Sequence, residues 1–260
     1  MLSPIAKFTN DPVGIDKALK FFQFSLQAIE SLSIEPTDAI RWRAAKGNIN
    51  TARRFLRLFK WIDCFTVAQA QFQIASTGPG PASSSIENET SSDSVSKPTT
   101  TSIDATKALL NGLKYSLLGM YLFMEMFVIT DAIALTSTTW SGTVQVESLK
   151  IWGYSLLVSI IIGVYELINS QPEAPTTAQS STVNEKPSGT SKEDANAAQA
   201  QRAPATKQQA IFKQLAVDLT DFVVPLYVAH WYPITPLTLG VAGSINGLLG
   251  THSAWYRLNG

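Results

Sequence analysis

Cysteine occurs once, at Cys64, and histidine twice, at His230 and His252. A lone cysteine cannot close a disulfide within the chain, and a Cys/His zinc site lacks its ligands. Cys64 reads as a small buried residue near a helix end. Charge is also scarce: Asp, Glu, Lys and Arg make up 15% of the 260 residues, with 20 basic against 20 acidic, where soluble domains carry roughly 25%. No nucleophile elbow, phosphate loop, dinucleotide fingerprint or metal-ligand cluster occurs, so neither an enzyme activity, a cofactor nor a metal is expected. No stretch alternates with period two for long enough to argue for a sheet. Asp11, Pro12 and Asp16 arrive before any uninterrupted apolar run, which speaks against a secretory signal. An acid-poor, Arg-rich presequence is missing as well, and "RLNG" is not a Ser-Lys-Leu type of address. Membrane entry is therefore expected from internal segments.

What is present is apolar and unevenly placed. Two stretches rich in Ser, Thr, Pro and small polar residues, 76–104 and 170–207, cannot bury enough apolar surface to offset the entropy of ordering. They are expected to be disordered linkers. The sequence between them points to an all-α, membrane-associated protein in three parts. Residues 1–75 form an N-terminal amphipathic helical region, 105–169 an apolar helical hairpin, and 208–260 a C-terminal helical region.

In the first part, Ile15, Leu19, Phe22, Leu26 and Ile29 recur at spacings of three and four, one apolar stripe of a helix. Pro36 interrupts, Thr37 or Asp38 can cap, and a second helix is predicted from about Ala39 to Ile74. In the hairpin, 151–167 is the leading span candidate, flanked by Lys150 and Glu166 with Trp152, Tyr154 and Tyr165 suited to the headgroup belt. The segment from Tyr115 to Leu135 is long enough, but Glu125 and Asp131 lie inside it. An acid at mid-bilayer costs roughly 2.5–3.5 kcal/mol, so this helix spans only if others shelter it. These two acids are a candidate polar membrane site. Interhelical hydrogen bonding is the plainer role for Glu125.

The second span candidate is 237–255, which has no formal charge. Within it Gly243 and Gly247 form a GxxxG, extended by Gly240 and Gly250, a surface on which helix backbones approach closely. Helix packing of some kind, including self-association, is expected there. Asp218 and Asp221, at i and i+3, read as solvated acids or helix-pairing partners rather than cation ligands.

The stretch "RWRAAKGNINTARRFLRLFKW", Arg41 to Trp61, holds seven Lys and Arg residues and no acid. On a helical wheel Arg43, Lys46, Arg53, Arg54, Arg57 and Lys60 fall on one side. Ile49, Phe55, Leu56 and Phe59 fall on the other, with Ala45, Ala52 and Ile62. Such a helix can lie in a membrane interface with its apolar face at the acyl boundary and its cations toward anionic lipid. It can equally pack on the Ile15–Ile29 helix and leave the basic face solvated. Nucleic acid is not expected as a partner, since no recognised binding fold accompanies the charge.

Three separated stretches together resemble the peroxin-11 family of peroxisomal membrane proteins. In "FTNDPVGIDKALKFFQF" the matching residues are Asn10, Gly14, Asp16, Lys17 and Gln23. In "ARRFLRLFKWID" they are Arg53, Arg54, Leu56, Arg57 and Lys60. In "DLTDFVVPLYVAHW" and "GLLGTHSAWY" they are Asp218, Asp221, Pro225, Gly247, Gly250 and Ser253. The resemblance implies an integral protein of the peroxisomal membrane that remodels and elongates it before division. It further implies homo-oligomers, an anionic phospholipid surface as partner, and cooperation with a dynamin-type GTPase and its membrane adaptor. The long linkers and strongly apolar middle resemble divergent members from filamentous fungi. A metabolite pore lined by Glu125 and Asp131, or a scaffold that recruits fission proteins without bending the membrane, are the competing expectations.

Overall fold

A computed structural model describes residues 2–77, 99–169 and 193–259, with side chains over 3–76, 105–169 and 208–259. These residues form α1 (Leu2–Thr9), α2 (Pro12–Leu32), α3 (Pro36–Leu56), α4 (Lys60–Thr77), α5 (Thr99–Ala132), α6 (Ser141–Asn169), α7 (Glu193–Val228) and α8 (Pro236–Asn259). The described residues include no strand. Local chemistry sets several bounds. Asp11 caps α2, its carboxylate accepting from the Gly14 N–H at 2.9 Å, and Pro12 supplies a first-turn residue whose missing N–H costs nothing there. Pro36 plays the same part in α3.

Residues 78–98 and 170–192, most of the two expected linkers, lie outside the described residues. Helix nonetheless reaches into both stretches, from Thr99 and from Glu193. Low apolar content does not forbid a helix when Ala, Gln and Glu abound, as in "EDANAAQAQ".

The single helix predicted over 39–74 is two. Helix α3 stops at Leu56, Arg57 takes φ −110° and ψ 2°, and α4 starts at Lys60. No Gly or Pro marks the break. It falls where the Arg57 guanidinium turns inward to acidic partners on α2 and α5, so tertiary ion pairing overrides local helix propensity.

The helices close a ring. Helix α2 packs on α3 and α8, α8 on α7, α7 on α6, α6 on α5, and α5 on both α4 and α3. Helix α1 lies along α8, with the Phe8 and Trp255 rings 5.7 Å apart and Asp11 paired to Arg257. A small apolar cluster of Cys64, Tyr121 and Leu122, backed by Trp61 and Trp152, joins α4, α5 and α6.

The interior of this ring mixes buried charge with apolar side chains such as Phe24, Tyr121 and Leu122, and much of its perimeter is apolar. Asp16, Lys20, Arg53, Glu125, Asp218, Asp221 and Asn246 are buried, whereas Ile40, Phe55 and Phe59 on the α3–α4 side and Val241, Ile245 and Leu248 on α8 are exposed. The α2 stripe shows the inversion directly. Its buried residues are Gly14, Asp16, Lys20 and Phe24, while Phe22 and Ile29 face outward. An isolated exposed Leu or Ile is ordinary in any protein, but buried charge beneath an apolar rim is the arrangement a surrounding of lipid would favour.

Two helical segments, Ala105–Ala132 and Ser141–Asn169, are long and apolar enough to cross a membrane. At 1.5 Å per residue each exceeds a hydrocarbon core of about 30 Å. The candidate at 151–167 lies within the second. The candidate at 237–255 is not among them: Asn246, Thr251, His252 and the glycines dilute its apolar residues. The sheltered Tyr115 segment takes its place.

Candidate functional site

Six of the seven cations of the Arg41–Trp61 stretch have an acidic partner in the same chain. Arg41 meets Asp38 on the surface, and Arg43 and Lys46 share Glu30 at 2.7 and 2.6 Å. Arg53 donates through Nε to Asp16 at 3.0 Å and through a terminal nitrogen to Gln23 at 2.6 Å. Arg54 and Arg57 approach one oxygen of Glu125, at 3.3 and 3.4 Å, and Arg57 also reaches Asp16 at 3.8 Å. Arg54 donates in addition to Gln145 of α6, and Arg57 to the Tyr121 hydroxyl at 3.4 Å. The remaining cation, Lys60, makes no ion pair among the described residues.

Arg53, Arg54 and Arg57 therefore turn into the ring rather than toward solvent, the reverse of the exposed charge expected from the wheel, while Arg43 stays on the surface. The apolar residues of the same stretch divide: Ile49 and Leu56 are half-buried, and Phe55 and Phe59 are exposed. Charge beside charge explains the choice of side. Asp16 and Glu125 provide buried carboxylates that solvent-facing arginines would leave unpaired, at a cost of several kcal/mol each. Burial by itself pushes the Asp16 carboxyl up, but the Arg53 and Arg57 guanidiniums outweigh it and hold it below the usual carboxylate value.

A second cluster ties α2 to α7 and α8. Lys20 of α2 pairs with Asp221 of α7 and donates to the Asn246 side-chain oxygen of α8 at 2.6 Å. The Asn246 amide in turn donates to the Val217 carbonyl at 2.9 Å and the Thr220 hydroxyl at 2.7 Å. Asp218 accepts from Ser159 of α6 at 2.6 Å, so both acids act as helix-pairing partners. Sequence patterns pointed to Asp218 and Asp221 but missed Lys20 and Asn246. The available signal was their place on helices whose apolar residues line the opposite face.

Burial brings the Lys20 ammonium down from 10.5 to about 8, with the Asp221 carboxylate opposing the shift. Below pH 8 folded and unfolded chains both hold this proton; between about 8 and 10.5 only the unfolded chain does, so the stability contributed by Lys20 increases with pH across that window. Relative to wild type, a Lys20→Met/Asp221→Leu double variant is expected to lack this increase. Unfolding midpoints in detergent at pH 7, 8, 9 and 10 check it, and parallel pH profiles for the two proteins would refute it.

The two acids of the expected polar membrane site part company. Glu125 faces the ring interior. Asp131 sits half-buried at the end of α5, bonded to Thr136 and accepting from the Thr138 N–H at 3.0 Å, which organises the turn into α6. No single polar path holds both.

The α8 glycines are occupied within the chain. Gly240 lies against Ala28, Gly243 against the Phe24 ring, Gly247 against the backbone of Phe21, and Gly250 against the Lys17 stem, all on α2. The close approach expected of this stripe is made, and its partner is α2 of the same chain. That leaves the stripe no open face for a second copy.

Inside the ring lies a cavity of about 550 Å³ whose wall draws on α2 through α8. Among the described residues no group of His, Cys, Asp and Glu is placed to hold a metal ion.

No curated protein and no solved structure matches the chain. The sequence profile described as peroxisomal biogenesis factor 11 (PEX11) matches residues 2–87 and 89–255, nearly all of it. With buried charge, an apolar perimeter and two helices long enough to cross a bilayer, the chain belongs to the PEX11 family of peroxisomal membrane proteins involved in peroxisome proliferation.

Proposed function

We propose that this chain remodels and elongates the peroxisomal membrane during proliferation and fission by seating the apolar outer side of α3 and α4 in one leaflet. Helices α5 and α6 hold the protein in the membrane as integral spans. The supporting observation is the exposure of Phe55, Phe59 and Ile62 around the α3–α4 break, opposite arginines already paired to acids of the chain. Helix volume placed about 5–10 Å deep in one monolayer expands that leaflet and favours positive curvature. Self-association concentrates such wedges, and with the glycine stripe occupied it uses outer apolar faces. Cooperation with a dynamin-type GTPase and its adaptor completes the reading, as the family resemblance implies.

Apolar contact rather than free charge makes the attachment only weakly salt-dependent, since the Debye length falls from roughly 10 Å at 0.1 M to 3 Å at 1 M without reaching paired, buried cations. In vesicles containing anionic lipid, the full-length protein is expected to tubulate at both salt levels. Phe55→Ser/Phe59→Ser is expected to lower tubulation about a hundredfold or more, each lost ring contact being worth on the order of 1.5–3 kcal/mol. Electron microscopy of the vesicles reads the outcome. Tubulation unchanged in the variant, or abolished by salt in the wild type, overturns the reading. A variant that fails to tubulate yet still recruits the GTPase identifies a scaffold instead.

A further inference from the structure

The acids and cations of the central cavity do not balance. Its wall carries three acids, Asp16, Glu125 and Asp221. Asp16 is matched by Arg53, Asp221 by Lys20, and Glu125 by one of the two arginines that share it. Lys46, also on the wall, is held by Glu30. The second arginine of the Glu125 pair, together with Lys17 and Lys60, is left over. Neither lysine has an acid within ion-pair distance among the described residues, although both line the cavity. Three positive charges along one partly enclosed space repel one another, and Lys17 and Lys60, both half-buried, keep only part of their hydration.

An independent sign comes from hydrogen bonding. The Arg54 Nε is buried without a hydrogen-bond acceptor, its approach to Glu125 being an ion pair with poor bonding geometry. Buried donors normally find acceptors, and an orphaned guanidinium N–H beside a cavity marks a place for one. The volume, about 550 Å³, lies within the range of small-molecule sites and well above that of a bare ion. One side of the wall is aromatic, with the Tyr121 and Trp152 rings stacked at 5.6 Å.

We infer that this cavity is a binding site for a phosphate-bearing anion, held by Lys17, Lys60 and the Arg54–Arg57 pair. A phosphate offers acceptor oxygens that a guanidinium fork engages in two parallel bonds, while the ammonium groups add charge without fixed direction. A carboxylate carries less charge and fewer acceptors, and so satisfies fewer of the surplus donors. The phosphate has two sources of the same chemistry, a lipid headgroup or a free phosphorylated solute. The site is independent of membrane bending, which draws on the opposite, outward side of α3.

Calorimetric titration of the full-length protein in neutral detergent tests the assignment, using inorganic pyrophosphate and soluble dihexanoyl phosphatidic acid as probes and sodium chloride at matched ionic strength as control. Saturable binding near one per chain is expected with at least one phosphate probe. Pyrophosphate binding points to a free solute, and binding of phosphatidic acid alone to a headgroup. Lys17→Gln/Lys60→Gln removes surplus charge, leaves every ion pair in place, and is expected to weaken binding about tenfold or more, the worth of one charge-assisted bond. Unchanged unfolding midpoints in that variant keep the comparison free of folding effects. If it fails to fold, the single Lys60→Gln variant is read with a threshold of about threefold. Absence of saturable binding by both probes, or affinity unchanged in the variants, overturns the assignment.

Discussion

Glu125→Ala is expected to cost about 3–5 kcal/mol of stability, the usual consequence of removing one partner from a buried charge pair. Two guanidiniums depend on this carboxylate, Arg54 from the end of α3 and Arg57 from the break that follows it. Without it both remain beneath the ring wall with only Asp16, Gln145 and Tyr121 to share. A fall in Tm of roughly 10 °C in detergent is the corresponding signal for a chain of this size. Glu125→Gln keeps the shape and one acceptor but not the charge, and is expected to fall between wild type and Glu125→Ala. A Glu125→Ala protein within about 0.5 kcal/mol of wild type, the range of ordinary surface substitutions, would show that the arginines do not need this partner.

Gly247→Val is expected to be at least as damaging, for a different reason. A Cβ at Gly247 would lie 2.4 Å from the Phe21 nitrogen and 2.6 Å from its Cα. These are backbone atoms, which no rotamer change can move aside. Helix α2 must back away, and the fit of Gly240 on Ala28 and Gly243 on Phe24 goes with it, because all three contacts lie along one crossing. Overpacking of a well-fitted interface costs about 1–3 kcal/mol, and backbone obstruction places this case at or above the upper end. A drop in folded yield and in Tm, with no change in oligomeric state beforehand, checks it by size-exclusion chromatography and thermal unfolding. A variant monomer as stable as wild type but unable to self-associate would mean that the stripe serves a second copy. Gly47→Ala is the companion control: a Cβ there meets nothing within 4 Å, so helix propensity alone predicts a gain of about 0.5–1 kcal/mol.

The order of helices was legible in the sequence because apolar spacing and proline positions are local properties. The periodicity of α2 gave no side: Ile15, Leu19 and Leu26 are half-buried and Phe22 and Ile29 exposed, while the fully buried positions belong to Gly14, Asp16, Lys20 and Phe24. A helical wheel reports separation of faces and carries no information about which face meets protein and which meets lipid. The same limit applies to Arg53 and Phe55 on α3. Close packing at the α8 glycines was readable from their spacing, whereas the identity of the partner depended on the fold closing α8 onto α2. The break at Arg57–Phe59 left no mark, since its cause is a pair of carboxylates 41 and 68 positions away in sequence. Lys20 and Asn246 were hidden for the same reason: a lone lysine or asparagine on a helix is unremarkable until another helix supplies Asp221.

The contact of α1 with α8 bears on sidedness. The Phe8 and Trp255 rings meet at a tilt and Asp11 holds Arg257, so the turn between α1 and α2 stands beside the last turns of α8. With α5 and α6 spanning the bilayer as proposed, these two segments face one and the same compartment. A partner that recognises one of the two segments would meet the other in the same encounter.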